Sequence, residues 1–362
     1  MAKYKLKEFI TQLRGVSYKP TDVTDKNNGT PVLRANNIQD EGLIYDDLVY
    51  LKPDKIKENQ KLIAGDIVIC ASSGSKSLVG KASIFTQNSK VMSFGAFCKA
   101  VRVKDIEGIN KDFIRLFFSS KSYREQISAS SVGANINNIK TENIDDLDIN
   151  IPTSETQAIA VKILTHIKKA IFTKKEQLKQ LDELVKSRFI EMFENKNFEE
   201  KKWFDVVNII NGKDYKKIPN ISGTYPIYGS GGYMGIRCDQ YLCNENSVII
   251  GRKGNVTNPI FVKEKYWNVD TAFGIETKDC LNPYYFYYHT LTVDLSSLVS
   301  GAAIPSMTKT SLQKIKIIVP PIELQNSFAG FVKQVDKSKF IVQKQIEYLQ
   351  ELLDSKMDEY FG

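Results

Sequence analysis

Two stretches of the chain match each other, GANINNIKTENIDDLDINIPTSETQ (residues 133–157) and GAAIPSMTKTSLQKIKIIVPPIELQ (residues 301–325). A shift of 168 residues aligns them without a gap, and the match continues as far as Phe193 and Phe361. A period of this length is too long for a solenoid repeat and indicates a duplicated unit. The chain is therefore predicted to run globule, helix, globule, helix.

A long helix is predicted to follow the proline that ends the strand in each copy, Pro152 and Pro320. Apolar residues recur there at alternating spacings of three and four, which is typical of a coiled-coil seam. Because 168 residues are 24 heptads, both copies keep the same heptad register. The predicted seam residues are Leu164, Ile171, Leu178 and Val185 in the first helix and Val332, Val342, Ile346 and Leu353 in the second.

The two long helices are predicted to pair with each other in antiparallel orientation. Their net charges are opposite in sign, which favours the pairing. Each helix could reach about 38 residues, or roughly 55–58 Å, so the pair would form a rigid spacer between the globules. The alternative is that each helix packs only on its own globule, and the shared heptad register argues against it.

The two globules, residues 1–152 and 196–320, are predicted to share one order of elements. Four segments of the first resemble segments of the second, and loop residues differ more than the framework, as expected where loops choose a ligand. The matched segments are Gly15-Val-Ser-Tyr18 with Gly212-Lys-Asp-Tyr215, GDIVICAS (65–72) with NSVIIG (246–251), Ala96-Phe97 with Ala272-Phe273, and INKDFIRLFF (109–118) with LNPYYFYYHT (281–290). The predicted fold class is α+β, with two mixed α/β domains in tandem, each followed by a long helix (153–195 and 321–362), and the helices paired as an antiparallel coiled coil.

The composition is typical of a protein in a reducing cytoplasm. The chain is 42% hydrophobic and 25% charged, and it contains no apolar run long enough to span a membrane. Five scattered cysteines and two histidines do not form a zinc-binding pattern, so we expect reduced thiols. The net charge of +8 is shared by both globules and permits a polyanionic partner.

The sequence predicts a binding protein rather than an enzyme, without catalytic or metal-binding residues. Neither a GxxxxGK[ST] phosphate loop nor a GxGxxG fingerprint occurs. Asn282-Pro283-Tyr284-Tyr285 resembles the Asn-Pro-Pro-Tyr motif of amino-methyltransferases, but it lacks the second proline and is interpreted as a helix cap. The neighbouring acids Asp145, Asp146 and Asp148 are interpreted as a solvated face.

Two basic globules on a fixed spacer suit double-stranded DNA, since each can read a separate patch of one long ligand. The strongest candidates for base contacts are Arg34 and Arg252, because each lies beside a predicted strand and can bond bidentately to guanine. The aromatic run Tyr284–Tyr288 is an alternative stacking platform, although a packed core is favoured. The candidate DNA-binding residues are Arg34, Asn36, Asn37, Ser73, Ser75, Lys76, Lys81, Asn135, Asn137 and Asn138 in the first globule, and Tyr228, Ser230, Arg237, Arg252 and Lys253 in the second.

The chain resembles the specificity subunit of type I restriction-modification systems. The two matching stretches resemble that family's link from recognition domain to helix, with its Gly-x-x-Ile, spaced aliphatic residues, proline and Glu-x-Gln. PVLRANNIQDEG (31–42) resembles an early loop of such domains, and YPIYGSGGYMG (225–235) a variant of it. The first copy departs in having Asn137 where the second has Pro305, and one proline at Pro152 where the second has two.

The resemblance implies a non-catalytic DNA-recognition subunit, each globule reading half of a bipartite target and the helices setting the gap. It also implies two methyltransferase subunits that dock on the chain and use S-adenosylmethionine, and two restriction subunits that use ATP and Mg. The expected location is the cytoplasm of a bacterium or archaeon. Two other classes stay open at this stage: a single-chain DNA methyltransferase or nuclease, and an interaction scaffold that does not bind DNA.

Overall fold

A computed structural model describes residues 2–39, 42–75, 78–87, 90–130, 138–194, 196–299 and 306–362. The chain divides into two compact units. The first unit comprises Met1–Lys174 with Gln345–Gly362, and the second comprises Lys175–Lys344. Each unit therefore holds one globule together with part of each long helix.

The described residues of the first unit form eleven strands and, before the first long helix, three short α-helices. The strands are β1 (Ala2–Lys5), β2 (Ile10–Arg14), β3 (Thr30–Leu33), β4 (Ile38–Gln39), β5 (Gly42–Leu43), β6 (Val49–Leu51), β7 (Ile67–Cys70), β8 (Ala82–Ile84), β9 (Ser93–Phe94), β10 (Cys98–Val103) and β11 (Asp148–Ile151). The helices are α1 (Lys111–Phe117), α2 (Lys121–Ser130), α3 (Thr141–Asp145) and the long α4 (Ser154–Phe193), whose later part belongs to the second unit.

The described residues of the second unit repeat this arrangement with nine strands. The strands are β12 (Glu199–Lys202), β13 (Val207–Asn211), β14 (Tyr225–Gly229), β15 (Gly232–Cys238), β16 (Ser247–Gly251), β17 (Ile260–Val262), β18 (Trp267–Asn268), β19 (Ala272–Thr277) and β20 (Lys316–Val319). The helices are α5 (Trp203–Val206), α6 (Pro283–Thr290), α7 (Lys309–Gln313) and the long α8 (Ile322–Phe361), whose last part belongs to the first unit.

The sheets of the two units have the same topology. A four-stranded antiparallel sheet has the order β2-β10-β7-β8 in the first unit and β13-β19-β16-β17 in the second. A three-stranded sheet places a parallel pair beside an antiparallel one, in the order β6-β3-β9 and β15-β14-β18. Each unit also has a two-stranded antiparallel sheet, β1-β11 in the first unit and β12-β20 in the second. The first unit has the β4-β5 hairpin in addition.

The strand register confirms most of the internal match and corrects one part of it. Gly15 and Gly212 hold equivalent places where a Cβ atom would lie about 2 Å from a backbone oxygen, of Gly95 and Val269 respectively. Phe97 O accepts hydrogen bonds from the two residues after β7, and Thr271 O accepts the same bonds from the two residues after β16. Phe97 is therefore equivalent to Thr271, and the sequence match of Ala96-Phe97 with Ala272-Phe273 is wrong by two residues.

The long helices pair in antiparallel orientation within each unit. In the first unit, His166 of α4 and Leu352 of α8 line one groove. In the second unit, Lys339 of α8 forms an ion pair with Asp182 of α4, and Phe328 packs edge-to-face on Phe189 at 5.5 Å between ring centroids. Residues further along α4 therefore contact residues earlier in α8, which is the order expected of antiparallel helices.

The predicted seam is buried along both helices. Seven of its eight residues are buried and Leu178 is half-buried; the seven are Leu164, Ile171, Val185, Val332, Val342, Ile346 and Leu353. The alternative, that each helix packs only on its own globule, is wrong. The predicted fold class is confirmed.

Repeated glutamines attach the start of each long helix to its globule. Gln157 Oε1 accepts a hydrogen bond from Asn110 N at 2.8 Å, and Nε2 donates to Pro152 O at 2.9 Å. Gln325 makes the same contacts with Asn282 N at 2.8 Å and with Pro320 O at 2.7 Å. Both side chains are buried, so these bonds explain why the glutamine recurs in the two copies.

Repeated phenylalanines attach the end of each long helix to the other globule. Phe193, which ends α4, packs on Tyr285 of α6 at 4.7 Å between ring centroids. Phe361, which ends α8, packs on Phe113 of α1 at the same distance. Each globule therefore holds the first turns of one long helix and the last turns of the other.

The aromatic run of the second unit belongs to the core. Asn282 Oδ1 accepts a hydrogen bond from Tyr284 N at 2.9 Å, which confirms the interpretation of this motif as a helix cap. Tyr285 and Phe286 are fully buried, and Tyr285 Oη donates to Ile318 O at 2.8 Å. The packed-core interpretation is confirmed for these residues, and a stacking platform is excluded for them.

The acidic cluster near α3 is engaged in structural contacts. Asp148 accepts from Lys3 at 2.9 Å and from Lys5 at 2.8 Å, and Asp145 accepts from the Gln12 amide at 2.7 Å.

The described helices include none that is long and apolar enough to cross a membrane.

Candidate nucleic-acid interface

A cleft of about 760 Å³ in the first unit is lined by residues that follow β2, β3 and β7 and by the turn between β9 and β10. Three predicted DNA-binding residues line it, namely Arg34, Asn36 and Ser73. Tyr18 and Phe97 line it as well. The cleft thus combines hydrogen-bond donors and acceptors with aromatic rings, which is the chemistry needed to read base edges.

Strand β3 and the turn after it bring Arg34 to the cleft. β3 is parallel to β9, and the chain then enters a 3-10 turn over Ala35–Asn37 with Arg34 at its N-cap. Asn37 is fully buried; its Oδ1 accepts from Arg34 N at 2.8 Å and its Nδ2 donates to Asp46 O at 2.8 Å. Asn37 therefore holds the turn that presents Arg34 and does not itself line the cleft.

The Arg34 guanidinium is oriented by Asp47. Its Nη2 donates to both Asp47 Oδ2 and Asp47 O at 2.6 Å. Asn36 Nδ2 also reaches Asp47 Oδ2, at 3.3 Å. Arg34 Nε is buried and has no hydrogen-bond partner among the described residues. The Nη2 side of the guanidinium is therefore fixed by Asp47.

The other candidates of the first unit surround the end of β7. Ser73 Oγ accepts from Ser75 N at 3.2 Å, and Lys81 O accepts from Cys70 N at 2.9 Å. Asn138 is exposed and pairs by a β-bridge with Ser72. Three further candidates, Lys76, Asn135 and Asn137, lie outside the described residues.

Cys98, which lines the cleft, is a neutral thiol. Cys98 is buried, and this burial raises the pKa of its thiol to about 12. A neutral thiol adds no negative charge near the Arg34 guanidinium, so the electrostatic attraction for a polyanion is not weakened there.

The second unit presents different side chains at the equivalent positions. Tyr228 is paired with Asn268 as Leu33 is with Phe94, so Gly229 takes the place of Arg34 and Ser230 that of Ala35. Tyr228 packs on Tyr233 and Tyr266, and burial raises the pKa of its hydroxyl. The loop after β14 therefore lacks an arginine at the position that Arg34 occupies in the first unit.

Basic side chains of the second unit follow β16 instead. Arg252 and Lys253 are exposed and take the places of Ala71 and Ser72, as their backbone bonds to Thr271 O show. The Arg252 guanidinium lies 5.9 Å from the centroid of the Phe273 ring. Both residues directly follow a buried strand, so their backbone is held in place.

Arg237 has a structural role in its loop. Its Nε donates to Gly223 O at 2.9 Å, its Nη2 donates to Thr224 O, and Glu264 lies 3.6 Å from Nη2. These contacts hold the segment before β14 against β15. Two nitrogens of the Arg237 guanidinium thus donate hydrogen bonds to the protein, compared with one nitrogen of Arg34.

The sequence did not indicate two residues that shape the cleft of the first unit, Asp47 and Phe97. Asp47 lies 13 residues from Arg34 and meets it only in the folded chain, so no local pattern indicates the pair. The sequence match with Phe273 places Phe97 in the framework, whereas its side chain is 70% exposed. Its signal in the sequence is an aromatic residue in the tight turn Gly95–Cys98, between two buried strands.

The chain matches a family model of the type I restriction modification DNA specificity domain twice, at residues 1–183 and 195–351. The StySPI specificity subunit of Salmonella potsdam is 39% identical over 178 residues, which are 49% of this chain and 38% of that protein. The EcoKI specificity subunit of Escherichia coli K12 has the same identity and coverage. This chain thus spans 38% of the length of those two relatives. The putative MjaX specificity subunit of Methanocaldococcus jannaschii is 23% identical, over 89% of this chain and 84% of that protein.

Two solved structures resemble the fold over almost its whole length. The crystal structure of the type I restriction-modification S subunit from M. genitalium covers 100% of this chain and 96% of its own, with a TM-score of 0.60 and 15% identity. A chain from a structural study of complex assembly in the type I R-M system covers 99% and 97%, with a TM-score of 0.57 and 15% identity. Since the two family matches include most of the residues, this chain belongs to the family of type I restriction-modification DNA specificity proteins.

Proposed function

We propose that this chain is the DNA sequence-recognition subunit of a type I restriction-modification complex and performs no catalysis itself. The observation that carries the proposal is the duplicated framework with different side chains at equivalent loop positions. Arg34 of the first unit corresponds to Gly229, whereas Arg252 of the second corresponds to Ala71. Two copies of one scaffold with different reading groups suit a target that has two different halves.

The chemistry of the loops supports double-stranded DNA as the ligand. Arginine reads guanine through its O6 and N7 acceptors, and an asparagine amide pairs with adenine, so Arg34 and Asn36 supply groups for both purines. Arg252 and Lys253 supply an equivalent basic turn in the second unit. The net charge of +8 adds the sequence-independent attraction for phosphates.

The paired long helices are proposed to set the gap between the two half-sites and to carry the methyltransferase subunits. The repeated pair Phe172 and Phe340 supports two equivalent docking positions, because both side chains lie near the middle of their helices and are 64% and 65% exposed. Neither belongs to the buried seam. Exposed aromatic residues are favoured anchors of protein interfaces.

In the proposed complex, two methyltransferase subunits would supply S-adenosylmethionine and two restriction subunits would supply ATP and Mg. The chain's own residues would only select the site. The complex would act in the cytoplasm of a bacterium or archaeon, where the chromosome is accessible.

A chromosome-wide map of methylated adenines tests the proposed function. We expect a bipartite motif in cells that contain the chain, its loss when the chain is deleted, and its return when the wild-type chain is restored. An unchanged map after deletion would contradict the proposal. Methyl transfer by the purified chain alone would favour an enzyme, and DNA association that is independent of salt would favour an unrelated scaffold.

A further inference from the structure

Phe97 of the first unit is an exposed aromatic residue that the framework of the fold does not require. Its side chain is 70% exposed, while Phe94 and Cys98 on either side of the turn are buried. It is the most exposed phenylalanine among the described residues. Exposure of a large apolar ring forgoes the free energy of burying it, and a ring exposed in a cleft beside hydrogen-bonding groups is available to a ligand.

The turn that carries Phe97 is fixed by backbone hydrogen bonds. Cys98 N donates to Gly95 O at 2.9 Å, which closes the turn. Phe97 O accepts from Ala71 N at 2.9 Å and from Ser72 N at 3.0 Å. The ring is therefore presented from a rigid base, and little conformational entropy is lost when it contacts a ligand.

The second unit shows that the turn folds equally well with a different side chain. Thr271 stands at the equivalent position and accepts the same two backbone bonds, from Arg252 N at 2.8 Å and Lys253 N at 3.2 Å. The backbone geometry is thus independent of an aromatic ring. We therefore attribute the presence of an aromatic ring at this position to the ligand of the cleft in the first unit.

Phe97 shares its cleft with Arg34, Asn36 and Ser73, whose polar groups suit base edges. A phenyl ring can neither donate nor accept a conventional hydrogen bond. In the major groove of DNA, the one apolar group that a base edge offers is the 5-methyl group of thymine. Wedge residues that enter between stacked bases are a device of minor-groove binders, whereas Phe97 shares its cleft with Arg34 and Asn36, whose groups suit base edges in the major groove.

We infer that Phe97 is a specificity-determining residue that contacts the 5-methyl group of one thymine in the half-site read by the first unit. The inference rests on the proposed function. Burial of one methyl group on an apolar surface corresponds to roughly a fourfold change in affinity. Phe97 thus adds selection for thymine at one position, beside the hydrogen bonds of Arg34 and Asn36.

Selection from two DNA pools tests this inference. The full chain, purified from its own host with its bound subunits, is offered random double-stranded DNA containing thymine, or the same pool with uracil in its place. Uracil keeps base pairing and lacks the 5-methyl group. We expect one position of one half-site to prefer thymine, and this preference to fall about fourfold in the uracil pool.

Two variants assign the effect to Phe97. Phe97→Ala should lose the preference in the thymine pool, and Phe97→Thr, which carries the residue of the second unit, serves as a variant compatible with the turn. The other half-site should be unchanged in both variants and is the internal control. Should either variant misfold, the comparison of thymine and uracil on the wild-type chain still decides whether a methyl group is read.

The outcomes separate the two proposals. A bipartite motif with equal preference in both pools would overturn the thymine contact and leave the proposed function standing. A uracil effect that persists in Phe97→Ala would also overturn the assignment to Phe97. Enrichment of no motif from either pool would contradict the proposed function, and this inference with it.

Discussion

The first and second units share a backbone framework but differ in the loops from which they present arginine. In the first unit, Arg34 follows β3 and is oriented by Asp47, while Ala71 and Ser72 follow β7. In the second unit, Gly229 stands in the place of Arg34, and Arg252 and Lys253 follow β16. The equivalent strands keep their register in both units.

This difference shows that one backbone framework can carry different side chains at its loops. Backbone hydrogen bonds such as those to Phe97 O and Thr271 O do not depend on the side chain at that position. Exposed side chains of these loops, such as Asn36, Arg252 and Lys253, lie outside the core, so they can vary with small effects on folding. Buried contacts such as those of Gln157 and Gln325 are identical, because their loss would leave unpaired backbone groups.

The largest effect is expected from lengthening both long helices. Insertion of seven residues after Lys175 in α4 and after Gln343 in α8 keeps the heptad register and adds roughly 10 Å of helix. We expect the methylated motif to acquire a longer gap, or to disappear, while each half-site sequence is retained where methylation persists. An unchanged gap in the methylation map would contradict the spacer role. Insertion of seven residues in α4 alone is the matched control and should abolish methylation.

The equivalence of the two helix ends can be tested by removing their aromatic anchors. Phe193→Ala and Phe361→Ala each remove a buried ring, so each should lower the free energy of unfolding by about 3–5 kcal/mol. Urea denaturation of the full chain measures the loss. Phe172→Ala and Phe340→Ala are the controls, since these exposed rings should change the value by less than about 0.5 kcal/mol. A large loss in only one of Phe193→Ala and Phe361→Ala would contradict the equivalence of the two helix ends, and similar losses in all four variants would contradict the role of the two buried rings as anchors.

The division of reading between the units predicts separate effects of the two arginines. Arg34→Ala and Arg252→Ala should each weaken DNA binding by about 1–3 kcal/mol and relax one position of one half-site only. Binding to the methylated motif and its single-base variants provides the measurement. Relaxation of the same half-site by both variants would contradict a bipartite reading. Arg237→Ala is the comparison, and we expect it to lower stability rather than change a base preference.

The units are also expected to differ in their response to acid. Burial lowers the pKa of His289 in α6 to about 4, whereas an unfolded chain takes up this proton near pH 6.5. Because the unfolded state binds the proton more readily, the free energy of unfolding should fall as the pH decreases from about 6.5 to 4, by about 2 kcal/mol.

His289→Phe supplies the control for this pH dependence. The variant keeps an aromatic ring beside Trp203 and removes the titrating group. Its stability should therefore decline less than that of the wild-type chain over the same pH range, in denaturant titrations at fixed pH values. An identical decline in both proteins would show that other groups cause it.

Much of the fold follows from the sequence because its main signals are local or periodic. The duplicated stretch, the heptads of α4 and α8 and the match of GDIVICAS with NSVIIG were sufficient for the element order and the antiparallel pairing. Helical and strand periodicities depend on residues a few positions apart, so they can be read without tertiary structure. The match of Phe97 with Phe273 failed because loop lengths differ, and only the strand register showed that Thr271 is the equivalent residue.

The sequence by itself determined that the chain has two related globules, each joined to a long amphipathic helix, and a net charge of +8. Only the tertiary structure decided which candidate side chains share a cleft, that Asp47 orients Arg34, that Asn37 and Arg237 serve the fold, and that Phe97 is exposed. The physical reason is that these relations join residues distant in the chain. They depend on strand register and loop packing, for which a single sequence contains no periodic signal.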